Sequence, residues 1–129
     1  MNPVVHFEMP YEDAKRVAAF YEQAFGWRNQ LLGPEMGDYV LATTTETADG
    51  RPTQPGAING GFFPKKADWP AQVPSVVIAV ADIAEAMAKV TAAGGKMLGD
   101  PMEIAGVGLY VSFFDTEGNR VSMLQPSRG

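Results

Sequence analysis

Valine and phenylalanine dominate a loose alternation over residues 3–9, which predicts a half-buried strand stopped by Pro10. The period then changes. Val17, Phe20, Tyr21, Ala24 and Phe25 recur at helical spacing, so a helix is expected over 11–25 with those residues as its buried stripe. Glu12 and Asp13 suit the positive end of that helix, and Gly26 suits its end. Strands are predicted at 27–32, before Gly33-Pro34, and at 38–45, where Tyr39, Val40, Leu41 and three threonines favour extended backbone. Residues 46–56 are rich in breakers and predict a loop. A strand carrying Gly60-Gly61 follows at 57–63.

The plan is then repeated. A strand at 75–81 leads into a helix at 82–93, whose stripe is Ile83, Ala86, Met87, Val90 and Ala93, ended by Gly94-Gly95. Strands follow at 96–103, 108–114 and 120–125, the last two joined by a turn at 115–119 in which Gly118 can take a positive φ at no steric cost. Asp13 and Asp82 stand at matching places in the two copies. A repeated unit buries its apolar face against its neighbour, and its twin is the nearest candidate. The expectation is one domain over 1–129, with module one at 1–63, a connector at 64–73 and module two at 74–126. Two sheets so joined leave a concave space suited to a small molecule.

Composition narrows the partners. Net charge is −5 and the 10 Lys and Arg residues form no stripe, which argues against nucleic acid. The absence of cysteine removes disulfides, thiolate metal sites and cysteine nucleophiles. No apolar run is long enough to cross a bilayer, and no signal peptide precedes the first strand, so a cytoplasmic chain is expected. Gly-x-Ser-x-Gly and His-Glu-x-x-His motifs and a phosphate-binding glycine loop are all missing.

Three segments together carry a resemblance: His6-Phe7-Glu8-Met9-Pro10, the run from Ala19 to Gly26-Trp27, and the hairpin Phe113-Phe114-Asp115-Thr116-Glu117-Gly118-Asn119. In order and spacing they resemble the vicinal oxygen chelate superfamily, nearest to small bacterial proteins related to lactoylglutathione lyase. The resemblance implies an α+β fold, two tandem βαβββ modules forming a U-shaped mixed sheet around a cleft, and a homodimer. It also implies a divalent metal held by one ligand on the first strand and one on the last strand of each module. His6 matches the first of these positions. The others fall on Val76, at or next to Gly60, and on Ser122, none of which is a usual ligand. No cofactor is therefore expected, and a metal held by ligands elsewhere is the alternative.

His6, the only histidine, can exchange a proton or hydrogen-bond a ligand near neutral pH, or simply be a satisfied strand histidine. Glu8 shares its strand face and pairs with it as an acid–base candidate; its alternative is a solvated strand-end carboxylate. Tyr39, Gly60, Val76, Tyr110 and Ser122 are the candidate ligand-binding residues. Gly60-Gly61 either admits a ligand to the backbone or serves a bend in the sheet. If Ser122 faces the ligand, Gln125 faces away. The function expected is small-molecule binding without a catalytic metal; a lyase or isomerase of the lactoylglutathione-lyase type using His6 and Glu8, with or without metal, is the alternative.

Overall fold

The computed structural model describes residues 1–127. By contacts the chain divides into two compact units, His6–Pro74 and a second comprising Met1–Val5 with the chain from Ser75 onward.

In the first unit, β1 (Val4–Tyr11) leads to α1 (Ala14–Phe25), β2 (Arg28–Leu31), β3 (Val40–Thr43), a small hairpin of β4 (Thr47–Ala48) and β5 (Arg51–Pro52), and β6 (Asn59–Pro64). β2 and β3 are antiparallel, as are β3 and β6, while β6 and β1 run parallel. Pro10 does not stop β1 as its composition suggests. The Tyr11 carbonyl accepts from Lys65 N at 2.9 Å, so the odd-numbered residues serve this ladder. Pro10 is not asked for the N–H it lacks. The loop predicted at 46–56 contains the β4–β5 hairpin, turned by Asp49 and Gly50 at φ 53° and 75°.

α1 starts later than expected because Asp13 caps it, its carboxylate accepting from Arg16 N at 3.0 Å. Gly26 ends it in the left-handed region at φ 73°, its N–H bonded to the Glu22 carbonyl. The buried stripe is also rotated from the predicted one. Ala14, Val17, Ala18 and Tyr21 meet the sheet, whereas Phe20 and Phe25 are 57% and 66% exposed. The small side chains at 14 and 18 let the helix approach closely. Tyr21 then stacks on Trp27, ring centroids 4.6 Å apart, and leans on Phe62 at 5.3 Å. Val40, Ala42 and Phe62 complete this core.

The second unit has the same order: β7 (Ser75–Ala79), α2 (Ile83–Ala92), β8 (Lys96–Met97), β9 (Met102–Ile104), β10 (Gly108–Phe114) and β11 (Arg120–Pro126). β11 runs parallel to β7 and antiparallel to β10, and β10 also pairs with β8 and β9. The single strand expected at 96–103 is thus two, interrupted where Gly99 turns at φ 109° before Asp100-Pro101. Ile83, Ala86, Met87 and Val90 pack on Val80, Val111, Phe113 and Met123 as their spacing predicts; Ala93 instead ends the helix, exposed. Asp82 caps α2 as Asp13 caps α1, accepting from Glu85 N at 3.0 Å. In the 115–119 turn, Asp115 accepts from the backbone N–H of Glu117 and Asn119, both at 2.9 Å.

Candidate functional site

Each unit has a sheet with a helix on one face. Along β1, Phe7, Met9 and Tyr11 point into the core beneath α1, so His6 and Glu8 point to the helix-free face. Opposite Glu8 in register lies Gly61, and opposite Gly60 lies Phe7. The two glycines therefore serve different faces. A Cβ at Gly60 would fall inside the Phe7 ring, and a Cβ at Gly61 inside the Tyr39 ring. Space that the sequence left open to a bend or to a ligand is taken by aromatic side chains of the chain itself. Tyr39 is aimed by the short turn before β3, its own carbonyl accepting from Leu32 N at 2.9 Å.

These placements bring three polar side chains together. His6 Nε2 and the Tyr39 hydroxyl are 2.9 Å apart, and that hydroxyl donates to Glu8 Oε2 at 3.0 Å. His6 is half-buried and Glu8 is 8% exposed. Burial lowers the His6 pKa from 6.5 to about 4, because a desolvated imidazole resists charging, so the ring is neutral at pH 7.

The second unit has its own polar group on the helix-free face. Tyr110 Oη lies 2.7 Å from Ser122 Oγ, which lies 2.8 Å from Ser112 Oγ; Arg120 Nη2 is 3.4 Å from Ser112 Oγ. Ser122 is 2% exposed. Gln125 points the other way, its Oε1 accepting from Ile83 N at 2.9 Å at the start of α2.

Register shows which residues correspond between the units. Ser122 faces Val77 as Gly61 faces Glu8, and Ser112 faces Ser122 as Leu41 faces Gly61. Tyr39 and Tyr110, each two residues earlier, are therefore counterparts. So are His6 and Ser75, each seven residues before its capping aspartate. Val76 shares the helix-side face with Ile78, away from Ser122, so the strand position matching His6 is one residue earlier than the sequence suggested. Likewise Gly61, not Gly60, matches Ser122. The structure thus joins His6, Glu8 and Tyr39 in one unit and Tyr110 and Ser122 in the other, and leaves Gly60 and Val76 on the helix side of their sheets. Ser112 and Arg120 were missed by sequence reasoning, although alternation from Tyr110 and Ser122 would have found both.

The pattern of the Glyoxalase/Bleomycin resistance protein/Dioxygenase superfamily matches residues 4–123, and the chain belongs to that superfamily. A glyoxylase-like domain-containing protein of Didymella fabae is 34% identical over 115 residues, covering 87% of this chain and 84% of its relative. Among solved structures, a Streptomyces coelicolor methylmalonyl-CoA epimerase variant in complex with 2-nitronate-propionyl-CoA superposes with a TM-score of 0.71 at 17% identity, covering 98% of this chain and 96% of that one. The Mycobacterium tuberculosis methylmalonyl-CoA epimerase gives 0.68 at 10% identity, covering 97% and 88%. At such identities the likeness is one of fold: a mixed α+β, glyoxalase-like fold.

A divalent metal does not suit the residues present. The positions matched by register carry His6, Ser75, Gly61 and Ser122, which offer one imidazole and no carboxylate. Among the described residues, no three His, Cys, Asp or Glu side chains come together in a way that could hold a metal ion. Nor does any described helix have the length and apolarity to cross a membrane. An open depression of about 370 Å³ on the first unit, lined by Tyr11, Glu12, Arg16, Val17, Phe20 and Lys65, holds none of the site residues.

Proposed function

We propose that this protein binds a small organic molecule on the helix-free face of its first unit, at His6, Tyr39 and Glu8, and does so without a divalent metal. The observation carrying this reading is the hydrogen-bonded chain His6–Tyr39–Glu8 on the face turned away from the hydrophobic core. Buried polar groups are costly unless mutually satisfied, and an apolar strand face would serve stability alone at less risk. A metal-free site is supported by the donor set, in which His6 has no companion at the matched positions. In the second unit, Tyr110 and Ser122 belong to a separate polar group on the helix-free face, in which Ser122 is bonded to both Tyr110 and Ser112. The superfamily resemblance extends the reading to a homodimer, checked by light scattering on the purified chain.

The test is a thermal-shift screen of small molecules, because a ligand that binds the folded state raises the melting temperature by mass action. A hit whose effect is lost in His6→Ala supports the reading. Hits that persist unchanged in His6→Ala and Glu8→Ala contradict it.

A second reading, an isomerase or lyase, is favoured by the continuity of the same chain. A proton taken from a ligand at His6 Nδ1 would release the Nε2 hydrogen to Tyr39, whose own hydrogen passes to Glu8; for an isomerase the relay then runs back and His6 Nδ1 delivers the proton to a neighbouring atom of the ligand. The solved epimerases share the fold on which such proton transfer would occur. Incubation of a hit in D2O separates the readings. Deuterium entering the ligand at a rate dependent on His6 marks an enzyme, and none marks a binder.

A further inference from the structure

The hydrogen-bond directions in the first unit say what kind of group the site can receive. A tyrosine hydroxyl has one hydrogen. Tyr39 donates it to Glu8 Oε2 at 3.0 Å, so toward His6, 2.9 Å away, its oxygen can only accept. His6 must then carry its hydrogen on Nε2. A neutral imidazole has a single N–H, so Nδ1 is left as a bare acceptor. No described hydrogen bond engages Nδ1. Burial, which keeps this imidazole uncharged at neutral pH, prevents Nδ1 from becoming a second donor. Tyr39 is in turn held in place by Gly61, whose missing side chain is the space its ring occupies.

We infer that Tyr39 is a positioning residue that fixes the Nε2–H tautomer of His6, and that the site consequently takes its ligand through a hydroxyl or N–H group rather than through an oxyanion. This rests on the reading that a ligand meets this face. The donors of His6 and Tyr39 are both spent inside the chain of three. A carboxylate or phosphate offers only acceptors, so it would face the bare Nδ1 lone pair without a hydrogen between them, in a protein of net charge −5. A hydroxyl or N–H donor completes the array instead.

The single histidine makes the test direct, because one pair of imidazole nitrogens gives one set of signals. Imidazole 15N spectra at pH 7 are expected to show hydrogen on Nε2 and a bare Nδ1. Phenol is expected to shift Nδ1 and to bind at least about tenfold tighter than anisole or benzoate, the value of one good hydrogen bond. Tyr39→Phe is expected to give a mixture of tautomers and to reduce the preference for phenol. An Nδ1–H tautomer, an imidazolium, unchanged spectra in Tyr39→Phe, or tighter binding of benzoate would overturn the inference while leaving ligand binding itself intact. If none of the three probes moves the ring although Nε2–H is in place, binding at this face is refuted and the inference falls with it.

Discussion

Gly61 and Tyr39 occupy one space: the tyrosine ring lies where a side chain on Gly61 would begin. Gly61→Ala must therefore displace Tyr39 and part its hydroxyl from both His6 and Glu8, without removing a single polar atom. Overpacking of this kind costs about 1–3 kcal/mol. Urea unfolding is expected to show that loss, and the imidazole 15N signals are expected to change with it. Full stability with an unaltered histidine would contradict the packing described.

Tyr39→Phe removes the hydroxyl and keeps the ring. Glu8, which is 8% exposed, loses one partner and His6 loses its acceptor. The expected cost is about 1–3 kcal/mol in urea unfolding. A variant as stable as the parent would show that these hydrogen bonds do not form in solution.

The pH dependence of stability follows from His6. Its folded pKa, about 4, lies below the ordinary value of 6.5. Between those values the unfolded chain binds a proton that the folded chain does not, so stability falls as pH drops through this window and is unaffected by His6 above it. The full effect is on the order of 3 kcal/mol. Unfolding free energies at pH 7 and pH 4.5 are expected to differ less in His6→Gln than in the parent; equal differences would place His6 in water.

Ser122 joins Tyr110 to Ser112 while almost wholly buried. Ser122→Ala strips both neighbours of a shared partner at a cost of about 1–2 kcal/mol, whereas an exposed serine such as Ser127 would tolerate alanine within about 0.5 kcal/mol. Equal effects of the two substitutions in thermal unfolding would contradict the buried network.

Periodicity made the elements legible because most strands and both helices bury one face. It was least reliable where local chemistry overrode pattern. Asp13 moved the start of α1, and two small alanines turned its buried stripe away from Phe20 and Phe25. Pro10 stayed in β1 because the ladder does not use its nitrogen. At the site, alternation placed His6 beside Glu8, but no local rule links either to Tyr39, more than thirty residues away, or tells which of two adjacent glycines lies beneath it. Val76 lies one residue from the position that register matches to His6, and the place at or next to Gly60 resolves to Gly61; a strand's faces alternate, so a one-residue shift in alignment reverses the face.

With one imidazole and no carboxylate at the matched positions, this member of the superfamily is expected to work without a divalent cation. Elemental analysis of protein purified without added metal or chelator tests it most directly. No stoichiometric zinc, nickel, iron or manganese is expected, in the parent or in His6→Ala. One equivalent of such a metal in the parent, lost in His6→Ala, would contradict the account.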